Sequence, residues 1–506
     1  MRFFFLISCL MMYANTANAQ LIGPVPFPVE PISQNSIQNM AAFGDTVWIG
    51  PSMDYNVGKA QEWQVPVGID SVSDGRGRLF SLSLAQDTIF AGLGYNTDDG
   101  SGESIQTGMG FYTSVSGGND WRFIDFPLDD TSETTLTYGG QEIEALPIVV
   151  PQQSPPFKVD FKDDVVFFAA WASGIRRSPD FGETWERILL PPANLSTLTP
   201  EDSYSFSFNP RNDNNFLGFS VFIDQDNRVW AGTAAGVNVS PNALTAPSDS
   251  IIWHHHRYQA GSDRLLGNWI TNITENPGDG SIWMTNWITE AGEKQGIVST
   301  SDGGETYEQH LIGERINAIE FDGEHIYAAG DNGLFISRNE GRTWEHKTRL
   351  RSANTFIKDN ASYYSLALAN DYLWVGTGDG IAATNDQGVT WEITRVDFPL
   401  RGGNKHQNEA PDVDSYAYPN PFSPNNHDFV RLKFEMEESG PVTIRIFDFG
   451  MNLIRIVEDK LSVGSGTYEA VWDGLDEQGR KVANGPVFYQ IKTASDEYTG
   501  KILVLE

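Results

Sequence analysis

A unit that recurs seven times leaves this chain few folds to choose from. Each copy is an apolar aromatic strand ending in small residues, a short loop, a second strand opening with glycine, and a polar turn closed by Trp or Tyr. The clearest copy, from Tyr372 to Trp391, reads YLWVGTGDGIAATNDQGVTW. Others are HIYAAGDNGLFISRNEGRTW from His325, VVFFAAWASGIRRSPDFGETW from Val165, and SIWMTNWITEAGEKQGIVSTSDGGETY from Ser281. Looser copies begin at Arg228, Thr88 and Thr46. The first of these reaches Trp253 only after an insertion, and the last lacks a clean turn before Trp63. A further apolar strand precedes each copy, as at Ile316 to Phe321 and Tyr364 to Ala369, which predicts four-stranded sheets in radial array. No 3.6-residue period points to an α-solenoid.

The turn has the form Ser/Thr-x-Asp-x-Gly-x-Thr-Trp and is complete at Ser178, Asp180, Gly182, Thr184 and Trp185. Thr300, Asp302, Gly304, Thr306 and Tyr307 repeat it, as do Thr384, Asp386, Gly388, Thr390 and Trp391. Asn339 replaces Asp in the copy running from Ser337 through Gly341 to Trp344, and Ser114, Ser116, Gly118, Asp120 and Trp121 form a degraded copy. Asp or Asn can fold onto nearby backbone N–H groups, Gly can take positive φ, and the aromatic can bury against the sheet. These positions therefore read as fold staples. The pattern resembles the Asp-box, or bacterial neuraminidase repeat, of the sialidase, sortilin and xyloglucanase-like superfamily and of photosystem assembly propellers. The resemblance implies an all-β chain with a seven-bladed β-propeller over 37–400.

The repeat stops near Arg401, and 401–415 is a polar, Gly-containing linker. In 416–506, Val430, Leu432, Phe434 and Met436 alternate with polar residues, as do Val442, Ile444 and Ile446. Further strands are predicted at Leu453 to Val457, Thr467 to Trp472, Val487 to Thr493 and Lys501 to Leu505. YPNPF, IFDFGMNLIRI, VWDGLDEQGRKVANGPVFYQI and KILVL, in that order, resemble the FlgD-type immunoglobulin-like domain. The resemblance implies a small immunoglobulin-like β-sandwich. In secreted Bacteroidetes proteins such tails act as type IX secretion signals, which would make the secretion machinery a partner. Asp473, Asp476 and Glu477 are read as part of a glycine-rich hairpin rather than a metal loop.

Residues 1–19 read as a signal peptide, with Arg2, the apolar run Phe3 to Met12 and a small-residue cleavage site at Ala17-Asn18-Ala19. Residues 20–36 form an N-terminal extension. Cys9, the sole cysteine, falls within the leader, so an exported chain carries no disulfide. Outside the leader no apolar run is long enough for a membrane span. A net charge of -33, spread along the chain, repels phosphate backbones and anionic headgroups and argues against nucleic acid as a partner. The reading is therefore a secreted or outer-surface protein.

The insertions Asn96 to Met109, Asn286 to Gln295, Leu128 to Pro156, Pro192 to Asn215 and Arg349 to Ser362 all fall on one rim of such an array. That rim is the expected ligand face. Tyr95, Tyr138, Trp171, Trp269, Trp287 and Tyr363 lie in or beside these loops and are the candidate ligand-binding residues. Asp98, Asp99 and Glu103 in NTDDGSGES offer hard oxygens for Ca²⁺, but not at EF-hand spacing, and a solvated loop is preferred. His254, His255 and His256 alternate on a strand, so they cannot converge, and no metal site is assigned. No cofactor is expected.

Three functions compete. A binding module meeting a glycan or protein ligand at the propeller rim is preferred. A polysaccharide-active enzyme, either a glycoside hydrolase or a lyase, is the alternative, but no Arg-Ile-Pro motif or arginine triad of the sialidase kind is present and no catalytic residue is assigned. A structural or adhesive surface protein is the third.

Overall fold

A computed structural model describes residues 21–25, 32–58, 63–66, 77–98, 102–352, 356–395, 413–425, 427 and 429–505. The signal segment, much of the extension and most of the linker lie outside these residues. Among the described residues the chain forms ten small sheets. Nearly all pairing is antiparallel, the exception within a sheet being Glu144 beside Ser207.

Seven of the sheets follow the repeat. The second consists of Arg78–Ala85, Thr88–Asp98, Ser104–Ser114 and Arg122–Asp125, and the third, fifth, sixth and seventh likewise have four strands in chain order. The first sheet has three, Asn39–Phe43, Thr46–Gly50 and Asp54–Val57, its fourth reduced to a single bridge from Tyr55 to Gln64. The fourth sheet has five, because Thr197–Leu198 adds to the edge strand Trp253–His256.

These sheets correct the expectation of a seven-bladed β-propeller followed by an immunoglobulin-like sandwich. The architecture is ten discrete sheets of unequal strand number, and none curls or closes on itself into a propeller or barrel. What holds the sheets together is side-chain packing between neighbours. The first strand of each sheet contacts that of the next in order, and the first strand of the seventh, Tyr363–Ala369, contacts Asn39–Phe43 of the first. No hydrogen-bonded ladder runs across these seams.

The core is accordingly divided into wedges between consecutive sheets. Trp48 of the first sheet and Met53 in its second turn bury against Leu79, Ile89 and Tyr112 of the second. Trp283 and Ile297 of the fifth pack on Ile319, Ile326 and Phe335 of the sixth. Val47 and Ile49 join Trp63 and, from the seventh sheet, Trp374 and Ile381. A middle strand such as Gly333–Ser337 is covered on both faces, so every residue in it is buried. This explains why these strands read as unbroken apolar runs, while first strands such as Trp269–Glu275 bury only part of their residues. Burying one such large aliphatic or aromatic side chain contributes about 2–3 kcal/mol.

Serines on first strands stitch the seams. Buried Ser81, Ser220 and Ser365 donate to the carbonyls of Pro156 (2.7 Å), Ile270 (2.8 Å) and Ile37 (2.9 Å), which lie in or just ahead of the first strand of the following sheet. In each case the donor spans two sheets that share no ladder.

The two longest insertions do not stand open on a rim, and a third extends a sheet. Asn96 to Met109 continues the second sheet as a hairpin, Asp98 opposite Ser104. Leu128 to Pro156 and Pro192 to Asn215 build a sheet together, Thr135–Tyr138, Gln141–Ala145 and Ser207–Phe208, which shares a core with the third and fourth sheets. Asp129, in the first of these insertions, accepts from Arg176 (2.7 Å) and from the Ile148 N–H (2.6 Å), with Arg187 3.4 Å away, all three side chains being buried. The expected ligand rim is therefore corrected. These segments are part of the packed body, and removing them would leave two buried guanidinium groups without their carboxylate.

The C-terminal region holds two four-stranded sheets sharing one core that includes Phe434, Ile444, Tyr468, Trp472, Tyr489 and Ile502. Leu21–Val25 is the edge strand of one of them, Leu21 opposite Ala470. Its contacts with the seventh sheet are local. Arg431, ion-paired with Glu469, lies 3.7 Å from Asp379, which Arg395 also approaches at 3.3 Å. Phe356 meets Phe429 at 5.2 Å between ring centres.

Candidate functional site

The box turns are the most regular polar structures in the molecule. In the third sheet the Ser178 hydroxyl accepts from the Gly182 N–H (2.7 Å) and donates to Asp180 (2.8 Å), while Asp180 accepts from the Thr184 N–H (2.7 Å) and hydroxyl (2.6 Å). Thr300, Asp302 and Thr306 repeat this network, as do Thr384, Asp386 and Thr390. Partial burial alone would raise the Asp302 and Asp386 carboxyls. The hydrogen bonds from the Thr side chain and backbone outweigh it and hold both down at about 2.

Where Asn339 replaces Asp, the last bond reverses, its amide nitrogen donating to the Thr343 hydroxyl at 2.9 Å. In the degraded copy the Ser116 hydroxyl accepts from the Asp120 N–H at 2.9 Å. The fourth sheet, read as having an insertion instead of a box, keeps the same device: Asn242 accepts from the Ile252 N–H, ten residues on, at 2.9 Å. Ser240-x-Asn242 was the available signal for it.

Each box glycine has positive φ and lies against the preceding sheet. A Cβ on Gly118 would stand 2.6 Å from Trp48, on Gly182 2.5 Å from Ile124, and on Gly341 2.9 Å from Trp283. The box aromatics point the same way: Trp185 stacks on Phe111 at 5.2 Å and Tyr307 lies edge-on to His256. The boxes thus clamp one sheet to the previous one; the Ser, Thr, Asp and Asn side chains spend their polar atoms within the turn, while the Trp185 and Trp344 indole nitrogens and the Tyr307 hydroxyl are buried without a hydrogen bond among the described residues.

The six aromatics proposed to meet a ligand do not form one surface. Tyr138 and Tyr363 are wholly buried, Tyr138 donating to the Ile251 carbonyl at 2.8 Å. Tyr95 is half-buried on the hairpin of the second sheet, opposite Thr107. Trp287 donates to the Ile316 carbonyl at 3.0 Å beneath the Arg315 guanidinium, 3.8 Å above its ring. Only Trp171 and Trp269 meet, 5.7 Å apart, with Phe219 against both. Phe219 continues to Phe157 (6.1 Å) and Phe157 to Phe80 (6.2 Å), a line of half-buried rings across four sheets.

Other candidates resolve simply. His254 is exposed, His255 lies between the Leu195 and Ala235 carbonyls at 3.1 Å each, and His256 packs on Tyr307. Burial depresses the ring pKa of His255, and that of His256 to about 4. Asp98 accepts from the Gly102 N–H at 3.1 Å, Glu103 is exposed, and Asp99 lies outside the described residues. Asp473 and Asp476 accept from backbone N–H groups two residues on, Leu475 at 3.0 Å and Gln478 at 2.9 Å, and Glu477 accepts from Ile456 at 2.8 Å. No group of three metal-competent side chains occurs among the described residues.

What sequence reasoning missed is the space enclosed by the seven first strands. All seven contribute to the wall of a cavity of about 490 Å³. Most polar groups there are spoken for. Asp160 accepts from the Ile223 N–H (2.8 Å), its neighbour Phe161 (3.0 Å) and Ser83 (3.1 Å), and Asn317 donates to the Tyr363 carbonyl at 2.9 Å. Two charged groups stand apart. Among the described residues Glu320 accepts only from the adjacent Phe321 N–H, at 3.1 Å through one oxygen, and the Lys158 ammonium has no ion-pair or hydrogen-bond partner. Burial pushes the Glu320 carboxyl up to about 7, against the pull of that N–H and of Lys158, and pushes the Lys158 ammonium down. The sequence signal was Lys158-Val159-Asp160 and Ile319-Glu320, in which Val159 and Ile319 enter the core and the charged residues face the opposite side.

No protein-family model matches the chain, and no curated protein matches it. Among solved structures it is similar to PorZ, a bacterial surface component of the type-IX secretion system of Porphyromonas gingivalis, at 13% identity and TM-score 0.44. That match covers 92% of this chain and spans 65% of the PorZ chain. The GH74 enzyme of Niastella koreensis matches at 12% identity and TM-score 0.47, with 96% and 75% covered, and YCF48 from Cyanidioschyzon merolae at 15% and 0.43, with 72% and 97% covered. Likenesses of this size assign neither family nor activity. The resemblance to Asp-box propellers and to the FlgD-type domain is accordingly corrected to an all-β chain of many small sheets that carries Asp-box-like turns.

Proposed function

We propose that the chain works outside the cytoplasm as a structural or adhesive surface protein. The preferred sequence reading, a binding module whose rim loops capture a glycan or protein, loses its basis because the sheets form no propeller rim and the two longest of those loops are folded into the body. The observation that supports the structural reading is the sheet built jointly by the two longest insertions, which turns exposed connections into ordered surface. The export segment read from residues 1–19 and the spread-out charge of -33 accord with it.

The test is to label intact cells with a membrane-impermeant biotin reagent and compare attachment of wild-type and deletion strains to abiotic and host-derived surfaces. Labelling with at least a severalfold loss of attachment on deletion is expected. Confinement of the protein to the cytoplasm, or unchanged attachment, would overturn the proposal.

A further inference from the structure

The cavity lined by the seven first strands contains two opposite charges that the fold leaves open. A half-buried carboxylate and ammonium lacking partners among the described residues are costly, whereas the neighbouring Asp160 and Asn317 show that this wall can saturate polar groups when nothing else is required of them. Lys158 and Glu320 come from different sheets, the third and the sixth, and each acts on the charge of the other across the cavity. The wall also carries aromatic rings, Phe222, Tyr364 and Phe157, the last lying within the line of rings that runs from Phe80 to Trp269.

We propose that this cavity binds a small zwitterion of amino-acid size carrying an aromatic ring, its ammonium facing Glu320, its carboxylate facing Lys158 and its ring lying toward Phe157. A volume of about 490 Å³ lies within the range of small-molecule sites. Asp160 acts on the Lys158 charge more strongly than Glu320 does, but its oxygens are taken up by Ile223, Phe161 and Ser83, so a purely cationic ligand would leave the Lys158 ammonium without an acceptor and a purely anionic one would leave the open oxygen of Glu320 without a donor. A metal ion is disfavoured because Asp160 is already saturated and no three-ligand group exists among the described residues.

The titratable side chains facing the cavity are Lys158 and Asp160 from the third sheet, Glu320 from the sixth and Tyr364 from the seventh. The first, second, fourth and fifth sheets supply none. Amino acids keep both charges between pH 6 and 8, so any change of affinity in that window belongs to the protein. Glu320 is anionic only above about pH 7, and binding is therefore tighter at pH 8 than at pH 6.

Isothermal titration of the full exported chain tests this, with L-phenylalanine and L-tyrosine as probes and glycine, phenethylamine and 3-phenylpropionate as controls lacking the ring or one charge. Saturable binding of at least one aromatic amino acid at millimolar concentration is expected, roughly tenfold or more tighter than any control. Glu320→Gln and Lys158→Met should each weaken it by roughly tenfold or more, and Glu320→Gln should also abolish the pH dependence. Absence of binding by both amino acids, or equal binding by phenethylamine or phenylpropionate, would overturn the proposal. So would unaltered affinity in the variants. If Lys158→Met does not fold, the near-isosteric Glu320→Gln decides alone.

Discussion

The outer turns and the inner wall of the same sheets use polar residues in opposite ways. At the outside, Asp180, Asp302 and Asp386 spend both carboxylate oxygens on their own turn, and the accompanying glycine seats the turn on the sheet before it. At the inside, Lys158 and Glu320 retain unspent capacity. Saturation marks a structural device, and a half-buried charge left open marks a place where something else can bind.

That contrast is broken most forcefully at a clamp. Gly182 has φ of 90° and a Cβ there would lie 2.5 Å from Ile124, so Gly182→Val combines backbone strain with overpacking. A loss of about 3 kcal/mol is expected by chemical denaturation. A loss under about 1 kcal/mol would show that the turn does not clamp the second and third sheets together.

A smaller effect belongs to the carboxylates. Asp302→Ala removes the acceptor for Thr306 and should cost about 1–2 kcal/mol at pH 7, whereas Asp302→Asn should cost less, because Asn339 already fills the equivalent place. The sign of the pH dependence follows from a folded-state pKa near 2 against an unfolded value near 4. The contribution is present above pH 4 and is lost as pH falls from 4 toward 2. Since the group is almost entirely solvent-accessible, screening keeps this part below about 1 kcal/mol. Melting curves from pH 2 to 7 for wild type and Asp302→Ala should converge at the acid end, and parallel curves would deny the carboxylate its role.

The smallest effect sharpens the comparison by repair. The second sheet carries Ser116 and Asp120 where other boxes have Asp and Thr; the Ser116 hydroxyl meets the Asp120 N–H at 2.9 Å and the Ser114 hydroxyl at 3.4 Å, but the Asp120 side chain does not bond to it as Thr does to Asp elsewhere. Ser116→Asp combined with Asp120→Thr restores the full set of donors and acceptors. A gain of about 0.5–1 kcal/mol is expected by thermal denaturation. No gain would mean that the hydroxyl already serves as well as the carboxylate.

The sequence made the turns legible because Asp-x-Gly-x-Thr-Trp acts over a few residues: every donor and acceptor is local, so the pattern is visible without coordinates. Strand positions in the repeats were legible for the related reason that covered middle strands such as Gly333–Ser337 are apolar throughout. The insertions were misread because Thr135–Tyr138 finds its partners at Gln141–Ala145 and, through them, at Ser207–Phe208, a pairing that hydropathy does not announce. Tyr138 and Tyr363 were misplaced as ligand contacts for the same cause, since a Tyr in a loop and a Tyr sealing a core look alike in sequence. The cavity was invisible because Lys158 and Glu320, far apart in the chain, sit at positions that in an ordinary two-faced sheet would point to water.

The wedge of Val47, Ile49, Trp63 and Trp374 joins the beginning of the repeat to its end. During synthesis, Val47 emerges on the order of half a minute before Trp374 at ordinary elongation rates. Throughout that interval one flank of the earliest sheet is sticky and unclaimed, so the nascent polypeptide needs a guardian until its last repeat arrives.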